Sequence, residues 1–154
     1  MQKGTKARRH EGTKGMWSAL CRITKAIKEK WMTAQKIRTY RDLIAWQKAM
    51  DLAKQVYQAT NRMPESERFG LTNQMRRAAV SVPSNITEGY ARQSRLDYVR
   101  FLKTARGSLA ELQTQATLVE RLNLIQIPPD LANLLAETDR VLQGLIRSLN
   151  NVQK

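Results

Sequence analysis

Residues 70–94, GLTNQMRRAAVSVPSNITEGYARQS, put two different faces on one helix. Leu71, Met75, Ala78, Val82, Ile86 and Gly89 recur at three- and four-residue steps and form an apolar stripe of the kind a helix buries. Gln74, Arg77, Ser81, Ser84 and Glu88, with Asn85 beside them, keep the same rhythm roughly a quarter turn away, at about 100° per residue. A helix that only covered a core would need the first stripe alone. The polar row lies where a further helix reaches it, which predicts a subunit interface there. Glu88, the one carboxylate in the row, is expected to pair with an arginine, with Arg77 of a neighbouring subunit as a candidate.

Pro83 interrupts both stripes. Its ring removes a backbone donor and clashes with the carbonyl of Ala79, which costs about 3 kcal/mol in an ordinary helix. It also pushes Val82 out of the α region. Either the helix stops at Val82 and restarts with Pro83 as its first residue, or it continues through a kink. In the second case Ser81, Ser84 and Asn85 supply local hydrogen bonds to the freed carbonyls. The apolar stripe keeps its phase across Pro83, which favours one kinked helix.

Similar amphipathic stretches fill residues 39–154, at about 42–60, 66–90, 94–123 and 130–151, with links near 61–69, 90–95 and 123–129. The pattern predicts an all-α, up-down-up-down antiparallel four-helix bundle of left-handed twist. Asp42 is the expected N-cap of the first helix, with Leu43, Trp46, Met50, Ala53, Val56 and Tyr57 as its buried face. Met63-Pro64 ends that helix, and Ser66 is placed to cap the second. Ser94, three residues before Asp97, is the capping signal of the third. Tyr98, Phe101, Leu102, Ala105, Leu109, Leu112, Ala116 and Val119 form its apolar arc. Gly107 and Ser108 interrupt it, and a helical glycine costs about 1 kcal/mol against alanine. Close approach of a neighbouring helix is the simplest account of Gly107. In the fourth helix Leu131, Leu135, Thr138, Leu142, Leu145, Leu149 and Val152 make a regular seam. Leu134, Val141 and Ile146 widen it beyond one bundle's need, and that surplus again predicts a subunit interface.

Charge bears on what such a bundle would meet. Lys and Arg number 27 against 13 Asp and Glu, a net charge of +14. Residues 1–31 hold nine basic and two acidic residues, and residues 32–154 hold eighteen and eleven, so each part carries +7. The helical part is therefore basic without its tail, and an excess of one sign favours a polyanionic partner. Residues 1–38 read as a basic N-terminal extension. Residues 1–15 offer nothing large and apolar to bury and are expected to be disordered. They are a nucleic-acid-binding arm, or a dispensable tail, or translated upstream sequence with Met32 as the natural start. Residues 17–31 have the spacing of a short basic amphipathic helix (Trp17, Leu20, Cys21, Thr24, Ile27, Trp31). It is a partner-docking helix, a chance pattern in an extension, or, least favoured, a membrane-surface helix.

The same residues argue against an enzyme. Cys21 is the only cysteine and His10 the only histidine, both outside the helical region. A nucleophilic triad therefore has no base, and a zinc site has no ligand set. No phosphate-binding glycine loop or metalloprotease helix motif occurs, and Glu88 lacks a second carboxylate for acid–base work. No cofactor or metal is expected. No run of about 18 apolar residues could span a membrane, and the N-terminus lacks a signal-peptide apolar region. A reducing cytoplasm is the expected compartment.

The segments WQKAMDLAKQVYQATNRMP, GLTNQMRRAAVSVPSNITEGYAR and FLKTARGSLAELQTQ stand in order within residues 40–152. Together they resemble the four-helix-bundle proteins first noticed as products of intervening sequences in bacterial ribosomal RNA genes. A related branch serves as the accessory variability protein of diversity-generating retroelements, a basic homopentamer that partners a reverse transcriptase and RNA. The resemblance implies a four-helix bundle, a homo-oligomer with the pentamer favoured, and a reverse transcriptase and RNA as partners. The other reading is a structural interaction bundle whose basic surface only keeps it soluble.

The residues themselves nominate one surface for nucleic acid. Arg95, Arg100, Lys103 and Arg106 project from the first turns of the third helix, opposite its apolar arc, and no acidic residue interrupts them between Asp97 and Glu111. They rise over about 16 Å at 1.5 Å per residue, which faces several phosphates of a single strand. Arg76, Arg77 and Arg92 are candidate contributors. An ordinary solvated helix face is the alternative. No base-reading signature accompanies the strip, so affinity is expected to follow charge and salt rather than sequence.

Overall fold

The computed structural model describes residues 37–151. The expectations for the N-terminal extension, for segment 17–31, for a start at Met32 and for Val152 fall outside these residues. Within them the chain forms four α-helices: α1 (Ile44–Thr60), α2 (Leu71–Ala91), α3 (Arg95–Arg121) and α4 (Pro129–Asn151). Short 3-10 turns at Tyr40–Asp42 and Glu65–Glu67 precede α1 and α2, and no strand occurs among the described residues. Each helix packs on its neighbours in sequence and α1 packs on α4, while the pairs α1–α3 and α2–α4 make no close backbone approach.

The helix starts differ from those expected. Asp42 does not cap α1. Its carboxylate accepts from the backbone N–H groups of Arg38 at 2.9 Å and Thr39 at 3.0 Å, completing a capping box on the 3-10 turn. Those two bonds favour the ionised form and hold the Asp42 carboxyl below its ordinary range. Leu43 leads into α1 with no side-chain cap. Ser66 lies within the second 3-10 turn, five residues before α2 begins, so it caps nothing there. Glu67 does that work from its own position, accepting from the Leu71 N–H at 3.1 Å. At α3 the expectation holds: Ser94 Oγ accepts from the Asp97 N–H at 3.3 Å. The end of α3 is a Schellman turn. Asn123 adopts φ 54°, its N–H donates to Glu120 O, and the Leu124 N–H reaches back to Val119 O.

Pro83 does not divide its helix. Residues 71–91 are one continuous α-helix with Pro83 buried inside it. Ser84 Oγ donates to Val80 O and Asn85 Nδ2 to Ser81 O, both at 2.8 Å, so side chains serve the two carbonyls that follow Ala79 O, the one Pro83 leaves without its helical donor.

The core gathers one stripe from each helix. From α2 and α3 it takes most of the residues the periodicity selected, among them Met75, Val82, Ile86, Leu102, Leu109 and Leu112, all fully buried, while Leu71, Tyr98 and Phe101 are only half-buried. On α1 the expected Leu43, Ala53 and Val56 are buried, but the rest of the buried stripe is turned by one residue. Ala45, Ala49, Leu52, Val56 and Ala59 face inward, while Met50 and Tyr57 are exposed and Trp46 packs at the edge. Alanines let α1 approach its neighbours closely and leave the larger apolar residues on the flank.

Two glycines exchange their expected roles. A Cβ on Gly107 would meet nothing within 4 Å, so no neighbour explains that glycine. A Cβ on Gly89 would sit 2.6 Å from Phe101 Cβ and 3.0 Å from Tyr98 Cδ2. The close approach of α2 to α3 is made at Gly89. Accordingly, Gly107→Ala is expected to stabilise the fold by about 1 kcal/mol. Gly89→Ala is expected to destabilise it by about 1–3 kcal/mol through overpacking. Urea denaturation of the two variants checks both signs.

Candidate nucleic-acid interface

Charge is unevenly divided between the helices. From residue 71 to 121, spanning α2 and α3, there are eight basic residues (Arg76, Arg77, Arg92, Arg95, Arg100, Lys103, Arg106, Arg121) against four acidic ones. Helices α1 and α4 together hold four basic and four acidic residues. The cationic excess therefore belongs to the α2–α3 side.

Not all of these cations are equally available. Arg106 Nε donates to Asp139 Oδ1 of α4 at 2.7 Å, which ties α3 to α4. Arg76 bridges α1 and α2, donating to Thr60 Oγ1 and Asn61 Oδ1, both at 2.9 Å, with its guanidinium 4.9 Å from the centre of the Tyr57 ring. Arg92 pairs with Glu88 one turn earlier at 2.7 Å. Glu88 thus finds its arginine within its own helix. Arg92 and Arg100 also lie 5.5 and 5.7 Å from the centre of the Phe101 ring, so two cations from different elements share one aromatic support. Among the described residues Arg77, Arg95, Arg100 and Lys103 form no ion pair. Arg77, Arg100 and Lys103 are exposed and Arg95 is half-buried.

The polar stripe of α2 turns toward α3 of the same chain. Ser81 Oγ and Ser108 Oγ are 2.9 Å apart, and Asn85 Nδ2 donates to Ser81 Oγ at 3.0 Å. Gln74, Arg77 and Ser81 continue this seam as one wall of a polar groove of about 380 Å³, with Ser108 and Glu111 opposite. Ser84 and Glu88 remain exposed beyond it.

The surplus apolar arc of α4 is used internally, against expectation. Leu134 is buried, and Val141, Leu145, Ile146 and Leu149 pack against the core. No α4 residue is among the exposed large hydrophobics. An apolar groove with exposed members lies between α1 and α2, while Phe69 and Leu96 are exposed singly elsewhere. Trp46, Met50, Ala53, Val80, Pro83 and Thr87 line this groove of about 480 Å³, and Met50, Tyr57 and Val80 are 45%, 44% and 43% exposed. Periodicity missed it because it places Trp46, Met50 and Tyr57 in the core and leaves Val80 and Thr87 off the apolar stripe.

An aromatic cluster unforeseen from the sequence joins the first turn to α2 and α3. Tyr40 meets Trp46 edge-on at 5.4 Å between ring centres, and Tyr90 at 6.4 Å; Tyr90 meets Tyr98 at 6.1 Å. The Tyr98 hydroxyl is buried without a hydrogen-bond partner, and burial, with Tyr90 adding to it, pushes its pKa up to about 12.

Among the described residues no group of His, Cys, Asp or Glu is arranged to hold a metal ion, and no helix is long and apolar enough to cross a membrane. The fold and this surface define an all-α protein of four packed helices with one basic side. The chain belongs to the 23S rRNA-intervening sequence protein family, whose profile matches residues 41–147. No curated protein matches it.

Tyr98 gives a pH prediction. Its folded pKa lies above the unfolded value near 10, so its contribution to stability is complete below pH 10 and is lost as pH rises toward 12. Tyr98→Phe is expected to flatten that alkaline loss. At neutral pH it should leave stability unchanged or raise it by up to about 1 kcal/mol, because a buried unpaired hydroxyl is removed. Thermal melting between pH 7 and 11.5 reads both effects.

Proposed function

We propose that this protein is a non-catalytic, oligomeric accessory protein that binds single-stranded RNA through the α2–α3 side. The observation that carries the reading is the set of unpaired cations, Arg95, Arg100 and Lys103, on the helix pair that holds the basic excess. Membership in a family named for 23S rRNA intervening sequences supports an RNA context. In its narrower form, drawn from the resemblance to accessory variability proteins, the protein accompanies a reverse transcriptase in the cytoplasm and assembles as a pentamer. Arg76, Arg92 and Arg106 add to the local potential from their intramolecular partners rather than as free contacts.

The same reading includes an up-down-up-down order of the helices, bent at Pro83. Pairs such as Ser81 with Ser108 and Gly89 with Phe101 support it, since positions rise on one helix as they fall on the other. Residues 39–154 are taken as the functional bundle and the basic residues before them as an appendage.

Assembly uses the α1–α2 apolar groove, in place of the α4 face. In a closed ring each contact joins two different patches, and exposed apolar residues at Met50 and Val80 supply one of them. Met50→Glu combined with Val80→Glu is expected to give monomers by light scattering at micromolar concentration with helicity retained. An unchanged particle mass would remove the groove from the interface.

Charge reversal tests the nucleic-acid reading. Arg95→Glu, Arg100→Glu and Lys103→Glu together should abolish binding to single-stranded RNA at about 0.15 M salt, where the Debye length is about 8 Å, with oligomer size unchanged. Arg106 is left intact because a glutamate there would face Asp139. Each lost phosphate contact should lower the salt slope of binding by about 0.7. Parental affinity in the triple variant would favour the plain structural bundle, whose cations are only a solvated face.

A further inference from the structure

The polar groove between α2 and α3 holds a guanidinium and a carboxylate that do not meet. Arg77 and Glu111 line the same cavity of about 380 Å³, yet no ion pair joins them. Both side chains are exposed and Arg77 has no ion pair, which leaves its guanidinium free for a ligand. Glu111 is held: its Oε1 accepts from Gln115 Nε2 at 3.0 Å, and Gln115 is itself only 6% exposed. The two walls of the groove are joined by the Ser81–Ser108 contact at 2.9 Å. Gln74 adds an amide to the rim.

The chemistry of the lining selects the ligand. A phosphate offers acceptors alone, and Glu111 would repel it. A ligand suited to both groups must present acceptors to Arg77 and donors to Glu111 from one rigid frame. Among the bases, guanine carries two adjacent acceptors, O6 and N7, which suit an arginine fork. On its Watson–Crick edge it carries two adjacent donors, N1–H and the N2 amino group, which suit a carboxylate. Cytosine and adenine offer one amino group, and uracil a single N–H between acceptors. An unpaired base exposes those edges, as in single-stranded RNA. The groove also sits on the basic side: Lys103 precedes Glu111 by eight positions on α3, about 12 Å along the axis. A strand held by its phosphates at Arg100 and Lys103 has a base within reach of the groove.

We propose that the groove lined by Gln74, Arg77, Ser81, Ser108 and Glu111 binds an unpaired guanine of the RNA strand. This rests on the RNA-binding reading above and adds base selectivity to an interaction otherwise expected to follow charge alone.

The test uses the full chain and labelled oligouridine with one central position occupied by guanosine, inosine, adenosine, cytidine or uridine, at about 0.15 M salt. The guanosine strand is expected to bind roughly tenfold more tightly than the others, a difference of about 1.4 kcal/mol. Inosine, which lacks the N2 amino group, should fall between. Glu111→Gln should erase the preference while oligomer size and melting temperature remain, with the shared affinity no lower than the parent's because a negative charge is removed. Equal binding of all five strands with a steep salt slope would overturn the guanine site and leave RNA binding standing. Absence of binding to any strand would overturn both. A change of oligomer size in Glu111→Gln or Arg77→Ala, with the base preference intact, would mark the groove as a subunit contact and overturn the proposal.

Discussion

Where α2 passes α3, Gly89 lies so close to Phe101 that no side chain fits between them. Much of the α2–α3 side depends on that contact. It brings Phe101 within reach of both Arg92 and Arg100, so cations from two elements rest on one ring. It places Tyr90 against Tyr98. Farther along the same seam it lets Ser81 and Ser108, 27 positions apart in sequence, reach hydrogen-bond distance. A larger residue at position 89 would wedge the helices apart and scatter these pairs. Cations on two separated helices would then no longer act as one surface.

The basic excess and the apolar groove meet along α2. The basic excess sits on α2 and α3, while the exposed apolar groove is walled by α1 and the other face of α2. Helix α2 serves both, with Val80 and Thr87 toward α1 and Arg77 and Ser81 toward α3. Burial of the groove against another subunit would therefore leave the basic side open to solvent. Glu88 lines the groove as well, but it is paired with Arg92, so the contact would bury no unpaired charge.

The existence and type of all four helices were legible in the sequence, because each carries a long run at the 3.6-residue period. What periodicity could not supply was rotation. On α1 the large apolar residues Trp46, Met50 and Tyr57 drew the buried face toward themselves, although the alanines at 45, 49 and 59 are what the core admits. On α4 the apolar surplus looked exposed because the depth of the neighbouring packing is not written in one helix. Gly89 looked like an ordinary core position and Gly107 like a special one, and only the neighbour across the seam reverses them. The basic strip was read correctly as positions on a helix. The engagement of Arg106 by Asp139, 33 positions away, is a tertiary fact with no local signature.

That engagement narrows the strip and changes what it can do. Three cations of the strip without ion pairs and one such helper, Arg77, rather than four with three helpers, give a single subunit weak hold on a polyanion. Two consequences follow from the same arithmetic. Useful affinity has to come from repetition, since several modest strips acting together on one strand gain effective concentration without any new contact. And phosphate contacts are alike at every register of a strand, so a base contact, were the Arg77–Glu111 groove to make one, would alone decide where along the strand each subunit settles.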